Sequence, residues 1–109
     1  MAHEAEPIIS AFADDPEMAD LVELFTEELP KRIESIESAF ESQSWDSLRT
    51  IAHQLKGAAP SYGFDSIGQA AGTVEHGVKE GPDAESLRGD VEALLSLCRR
   101  AAAGSGGNG

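Results

Sequence analysis

The residues most able to do chemistry in this chain sit in one run, His53-Gln54-Leu55-Lys56-Gly57. Histidine exchanges its proton near neutral pH, so a neutral ring nitrogen with a free lone pair is available there as a nucleophile. Lys56, three residues on, lies on the same helix surface and can hold an incoming anion as a mobile point charge. Arg49, four residues before His53, can act in the same way. Gly57 costs about 1 kcal/mol of helix propensity relative to alanine. The simplest compensation is steric, because a bare position one turn beyond His53 lets a bulky partner or a phosphoryl group reach the ring. An accessible neutral nitrogen beside positive charge is what nucleophilic phosphoryl transfer requires. Each of these residues alone has a plainer reading as solvated surface; the combination carries the signal.

A helix must present them. The stripe Leu48, Ile51, Ala52, Leu55, Ala59 and Tyr62 predicts one from Trp45 to about Tyr62, with Ser44 as its cap. At about 100° per residue, His53 projects roughly 140° from a stripe centred on Leu48, with Gly57 at about 180°, Pro60 at about 120°, Arg49 at about 100° and Lys56 at about 80°. Upstream, Asp15 as N-cap and Pro16 at the first helical position open a helix that reaches about Ser42. Its apolar residues Met18, Leu21, Val22, Phe25, Leu29, Ile33, Ile36 and Phe40 keep one phase across Pro30, which predicts a kink there instead of an end. A third helix, from about Asp65 to Glu80, buries Ile67, Ala70, Ala71, Val74 and Val78 and stops at Gly81-Pro82. Its Gly68, Gly72, Glu75 and Lys79 share another face, with Lys79 expected across the groove from His53. A fourth helix, from about Asp83 to Ala103, buries Leu87, Val91, Leu94, Leu95 and Cys98.

Short connections between helices favour antiparallel neighbours. The expected fold is all-α, an up-down-up-down antiparallel four-helix bundle, with a short N-terminal segment that packs Ile8, Ile9 and Phe12 on one end. Residues 1–103 are read as the domain and 104–109, a Gly/Ser/Asn run, as a flexible tail.

Composition narrows the function. A chain of 109 residues holds one domain. With 20 acidic and 8 basic side chains and a net charge of −12, it repels nucleic acid and anionic lipid, so neither is an expected partner. No signal peptide is read, and no apolar run approaches the 18 or so residues of a membrane span. The single cysteine, Cys98, is expected to be a small buried hydrophobe, and the cytoplasm is the expected compartment. A di-metal carboxylate site in a bundle would need Glu-x-x-His on two helices, and the chain has none. Neither a Gly-rich phosphate loop nor a nucleophile elbow is present. His3 and His76 read as bystanders, Trp45 as a packing lid, and Glu27, Glu28, Glu34 and Glu37 as solvated charge.

The run His53-Gln54-Leu55-Lys56-Gly57-Ala58-Ala59 followed by Gly63 resembles the histidine-phosphotransfer (HPt) family pattern H-x-[apolar]-K-G-[small]-[small], with a second glycine ten residues after the histidine. The preceding Pro-interrupted acidic helix, the Trp45-Asp46 start and the Gly/Ala-rich helix ending in Val74-Glu75 extend the resemblance to about residues 8–102. It implies a four-helix bundle that relays phosphate between receiver-domain aspartates in two-component signalling. His53 would be the phosphoacceptor, Lys56 the phosphoryl stabiliser and Gly57 the access-giving residue, while Glu75 falls where many members place a polar partner for the imidazole. The expected partners are response-regulator receiver domains, a sensor histidine kinase, or both. No cofactor is expected on this chain, Mg²⁺ is expected on the receiver, and the carrier is expected to be monomeric, a co-substrate and not an enzyme. Two alternatives stand beside this reading: the phosphoacceptor domain of a chemotaxis-type histidine kinase, and a receiver-binding module that transfers nothing. Pro60 departs from the family pattern. It removes the bond to the Lys56 carbonyl and kinks the helix, which leaves the aim of His53 and Lys56 open.

Overall fold

A computed structural model of the chain describes residues 7–106, with side chains to residue 102. It contains α1 (Pro16–Glu41), α2 (Trp45–Ser61), α3 (Asp65–Glu80) and α4 (Ala84–Gly106), and no strand occurs among the described residues. Each helix packs on the next in sequence and α4 closes on α1, the α2–α3 contact being the most extensive. The result is the antiparallel four-helix bundle that the apolar spacing predicts.

Local chemistry explains the boundaries. The Asp15 carboxylate accepts the Glu17 N–H at 2.9 Å, which satisfies one of the free donors at the start of α1, and Pro16 occupies the first turn where its missing N–H costs nothing. Pro30 lies inside α1, and the helix continues past it to Glu41. Ser44 holds the N-cap position of α2, but its side chain makes no capping bond and instead pairs with the Ser42 hydroxyl at 2.8 Å. The core is built from fully buried Leu29, Ile36, Leu48, Leu55, Ile67, Val74, Val91, Leu94 and Cys98. Burying one of the larger of these side chains contributes about 1.5–3 kcal/mol.

Some placements differ from expectation. Leu21 is exposed: α1 has 26 residues against 17 in α2, and Phe25 already stacks on Tyr62 just beyond the end of α2. The first turns of α1 therefore overhang α2. The N-terminal strap is held by backbone more than by apolar side chains. The Ile8 N–H donates to the Arg100 carbonyl and the Ala11 N–H to the Gly63 carbonyl, each at 3.0 Å. The Ser10 hydroxyl donates to the Tyr62 carbonyl at 2.6 Å and accepts the Phe12 N–H at 2.9 Å. Ile8 packs on the core as expected, whereas Ile9 and Phe12 point outward. Gly63 is required at this junction, since its φ is +87° and a Cβ would fall 2.3 Å from Ser10 Oγ. Phe64, which lies on none of the predicted helical stripes, is buried against Phe25 with ring centroids 5.6 Å apart.

Helix α4 runs to Gly106, past its expected end at about Ala103. Once a helix is nucleated, each further residue closes another backbone bond at little cost. Residues 107–109, and His3 with the first six residues, lie outside the described residues. At the opposite end of the bundle, half-buried Trp45 meets Phe40 edge-on at 6.1 Å, and Arg88 sits over the Phe40 ring at 5.5 Å.

Candidate functional site

The α2 stripe of Leu48, Ala52, Leu55 and Ala59 is buried, and this fixes where the other face of the helix points. The His53 side chain is 70% exposed, as the helical wheel requires. Across the groove, α3 buries Ile67, Ala71, Val74 and Val78 and turns Glu75 toward α2. Glu75 is the unusual residue of the pair, a carboxylate whose side chain is only 5% exposed. A buried carboxylate needs partners to stay ionised, and it has three. Its Oε2 lies 2.8 Å from His53 Nδ1 and 3.6 Å from Lys79 Nζ, and its Oε1 lies 3.5 Å from Lys56 Nζ.

The electrostatics follow from these contacts. The hydrogen bond from His53 holds the Glu75 carboxyl below its ordinary value of 4.5; burial pushes the other way, and the charges of Lys79, His53 and Lys56 reinforce the lowering. An ionised carboxylate only accepts hydrogen bonds. The His53–Glu75 contact therefore assigns the ring proton to Nδ1 and leaves the lone pair of the neutral ring on Nε2. The site presents a lone pair on an exposed ring, flanked by two ammonium groups that share one carboxylate.

Gly57 meets nothing inside the chain, since a Cβ there would have no neighbour within 4 Å. Packing does not demand this glycine. Gly68 and Gly72 differ, because both lie against α2, at Pro60 and at the Lys56 stem. Arg49 is exposed one turn before His53, and among the described residues it has no hydrogen bond or ion pair, so it stands apart from the cluster. His76 is exposed and sits 3.8 Å from Glu80 one turn on. Cys98 is fully buried and its thiol is pushed up to about 12 by burial, partly offset by Arg32 and Arg99, as suits an inert core residue. Among the described residues no cluster of metal-ligating side chains occurs, and no helix is long and apolar enough to cross a membrane. The pairing of Pro60 with Gly68 escaped sequence reasoning; a proline near the end of one helix and a glycine in the first turn of the next were its only traces.

The family model described as Hpt domain matches residues 20–104, and the chain belongs to that family. Its members carry phosphoryl groups in phosphorelays and interact with receiver domains and kinases. Comparison with curated proteins and with solved structures returns no match.

Proposed function

We propose that this chain relays a phosphoryl group between receiver-domain aspartates through Nε2 of His53. The observation that carries the proposal is the 2.8 Å contact between His53 Nδ1 and buried Glu75, which orients the ring and leaves Nε2 as its nucleophilic nitrogen. In the step we envisage, the Nε2 lone pair attacks the phosphorus of an aspartyl phosphate in line. The bond from phosphorus to the aspartyl oxygen breaks, and the electron pair leaves on the aspartate carboxylate. The ring keeps its Nδ1 proton and becomes cationic, and Glu75 offsets that charge. Lys56 and Lys79 would hold the phosphoryl oxygens, and Gly57 would leave room for the partner's active-site loops. The receiver would bring its own Mg²⁺. The reverse step has the same balance, which suits a carrier. A monomer in the cytoplasm fits this role, with a relay face that must stay open and a single buried cysteine.

The module that binds without transferring supposes that Pro60 spoils the site. That the His53 and Lys56 contacts to Glu75 coexist with Pro60 supports transfer instead. The chemotaxis-type alternative differs only in the donor. Incubation with a phosphorylated receiver, and separately with an ATP-loaded histidine kinase, separates the readings. Acid-labile, base-stable phosphate should appear on the wild type from the receiver and be absent in His53→Gln. Labelling from the kinase alone would favour the chemotaxis-type reading, and label that persists in His53→Gln would move the acceptor elsewhere.

A further inference from the structure

Pro60 is exposed on α2, yet its ring is the nearest neighbour of Gly68 on α3. A Cβ on Gly68 would fall 2.7 Å from Pro60 Cγ, 2.9 Å from Pro60 Cδ and 3.4 Å from the Lys56 carbonyl oxygen. The ring therefore fits against α3 only because residue 68 has no side chain. The same proline acts on Lys56 within α2. Lacking an N–H, it cannot bond the carbonyl four residues back, and its ring crowds that carbonyl. One turn further along α3, a Cβ on Gly72 would lie 3.5 Å from Lys56 Cδ, 3.7 Å from Cγ and 3.9 Å from Cε, so the lysine stem runs over a second bare position. Beyond it, Lys56 Nζ reaches Glu75 Oε1 at 3.5 Å. Gly68, Gly72 and Glu75 recur at helical spacing on one face of α3, and Lys56 touches that face from carbonyl to ammonium.

We infer that Pro60 is a positioning residue for Lys56: its ring, seated on Gly68, sets the local approach of α2 to α3 that lays the lysine along Gly72 with its ammonium at Glu75. This rests on the reading of His53 and Lys56 as the transfer site. Replacing the ring restores a donor for the Lys56 carbonyl and removes the contact on Gly68, which frees the stem to leave α3. A proline that only shaped the surface would do none of this; its removal would simply strengthen the helix.

The test uses Pro60→Ala, Lys56→Ala and the double variant in the full chain. Two readouts are taken: NMR titration of the Glu75 side-chain carboxyl, and single-turnover transfer from a saturating phosphorylated receiver. Pro60→Ala should melt at a higher temperature than wild type, yet its Glu75 titration should move slightly upward, since His53 and Lys79 lower it more than Lys56 does. Its transfer should slow about three- to tenfold, within the loss of up to about a hundredfold that a misplacement of about 1 Å costs. In the Lys56→Ala background, adding Pro60→Ala should change neither readout. Gly68→Ala, which pushes on the ring from α3, should shift both readouts in the same direction, and its loss of melting temperature should shrink when Pro60 is alanine. Unchanged Glu75 titration and transfer in a stabilised Pro60→Ala protein would overturn the inference, as would a full additive effect in the Lys56→Ala background. If no receiver labels the wild type while the Glu75 titration still moves as described, the positioning role stands and the phosphotransfer reading falls.

Discussion

The seam between α2 and α3 and the seam between α1 and α4 solve the same packing problem in different ways. Between α1 and α4, large side chains such as Leu29, Ile36 and Leu94 fill the core, and the polar contact Arg99–Glu37 lies outside it on exposed side chains. Between α2 and α3, bare positions at Gly68 and Gly72 let the helices meet through backbone, a proline ring and a lysine stem. At the rim of the same seam sits a buried carboxylate with three nitrogen partners. Large side chains make a seam that is stable and chemically silent. Small residues make one in which polar groups are held in fixed geometry at the rim of the core. Placing chemistry on this bundle thus required the α2–α3 seam to give up side-chain bulk.

The contrast can be broken in graded ways. The largest effect on stability is expected in the silent seam. Leu94→Ala should cost about 2–5 kcal/mol in denaturant unfolding, as deletion of a fully buried leucine does, while the folded fraction keeps normal transfer kinetics. A change in transfer at matched folded fraction would show that the two seams are coupled.

A gentler test concerns pH. Because the Glu75 carboxyl titrates below its ordinary 4.5 in the folded protein, the stability it contributes is fully present above about pH 4.5 and is lost as pH falls through the lowered value. Urea unfolding across an acid series should show that loss in the wild type and a shallower decline in Glu75→Gln. Equal slopes in the two proteins would mean that Glu75 does not depend on its partners.

Gly57→Ala should act in the opposite direction. With nothing within 4 Å of the added carbon, the variant should gain about 1 kcal/mol from helix propensity and transfer more slowly, because the methyl faces the incoming partner. A gain in stability without any slowing would remove access as the reason for this glycine. The smallest effect is expected from Glu37→Gln, which breaks an exposed ion pair worth about 0–1 kcal/mol and should leave transfer untouched.

What the sequence revealed follows the same division. Helix starts were legible from Asp15-Pro16, and the buried stripes of α2 and α4 from spacing alone, because one helix's amphipathic face is a local property. The outward aim of His53 was legible for the same reason, and the partnership with Glu75 came from the family resemblance. The contact of Pro60 with Gly68 was not legible, since it depends on the relative register of two helices. Phe64 was missed because a helical stripe says nothing about a loop residue that the Gly63 turn folds into the core. The outward turn of Ile9 and Phe12 was missed because backbone bonds from residues 8 and 11 and the Ser10 hydroxyl, more than apolar burial, anchor the strap.

The most direct measurement is an NMR spectrum of the histidine ring nitrogens in ¹⁵N-labelled protein, before and after phosphorylation by a receiver. Before transfer, His53 should show its proton on Nδ1, shifting in Glu75→Gln; afterwards, phosphorus should couple to Nε2 of His53 alone. Phosphorus on Nδ1, on His76 or on no histidine would contradict the account.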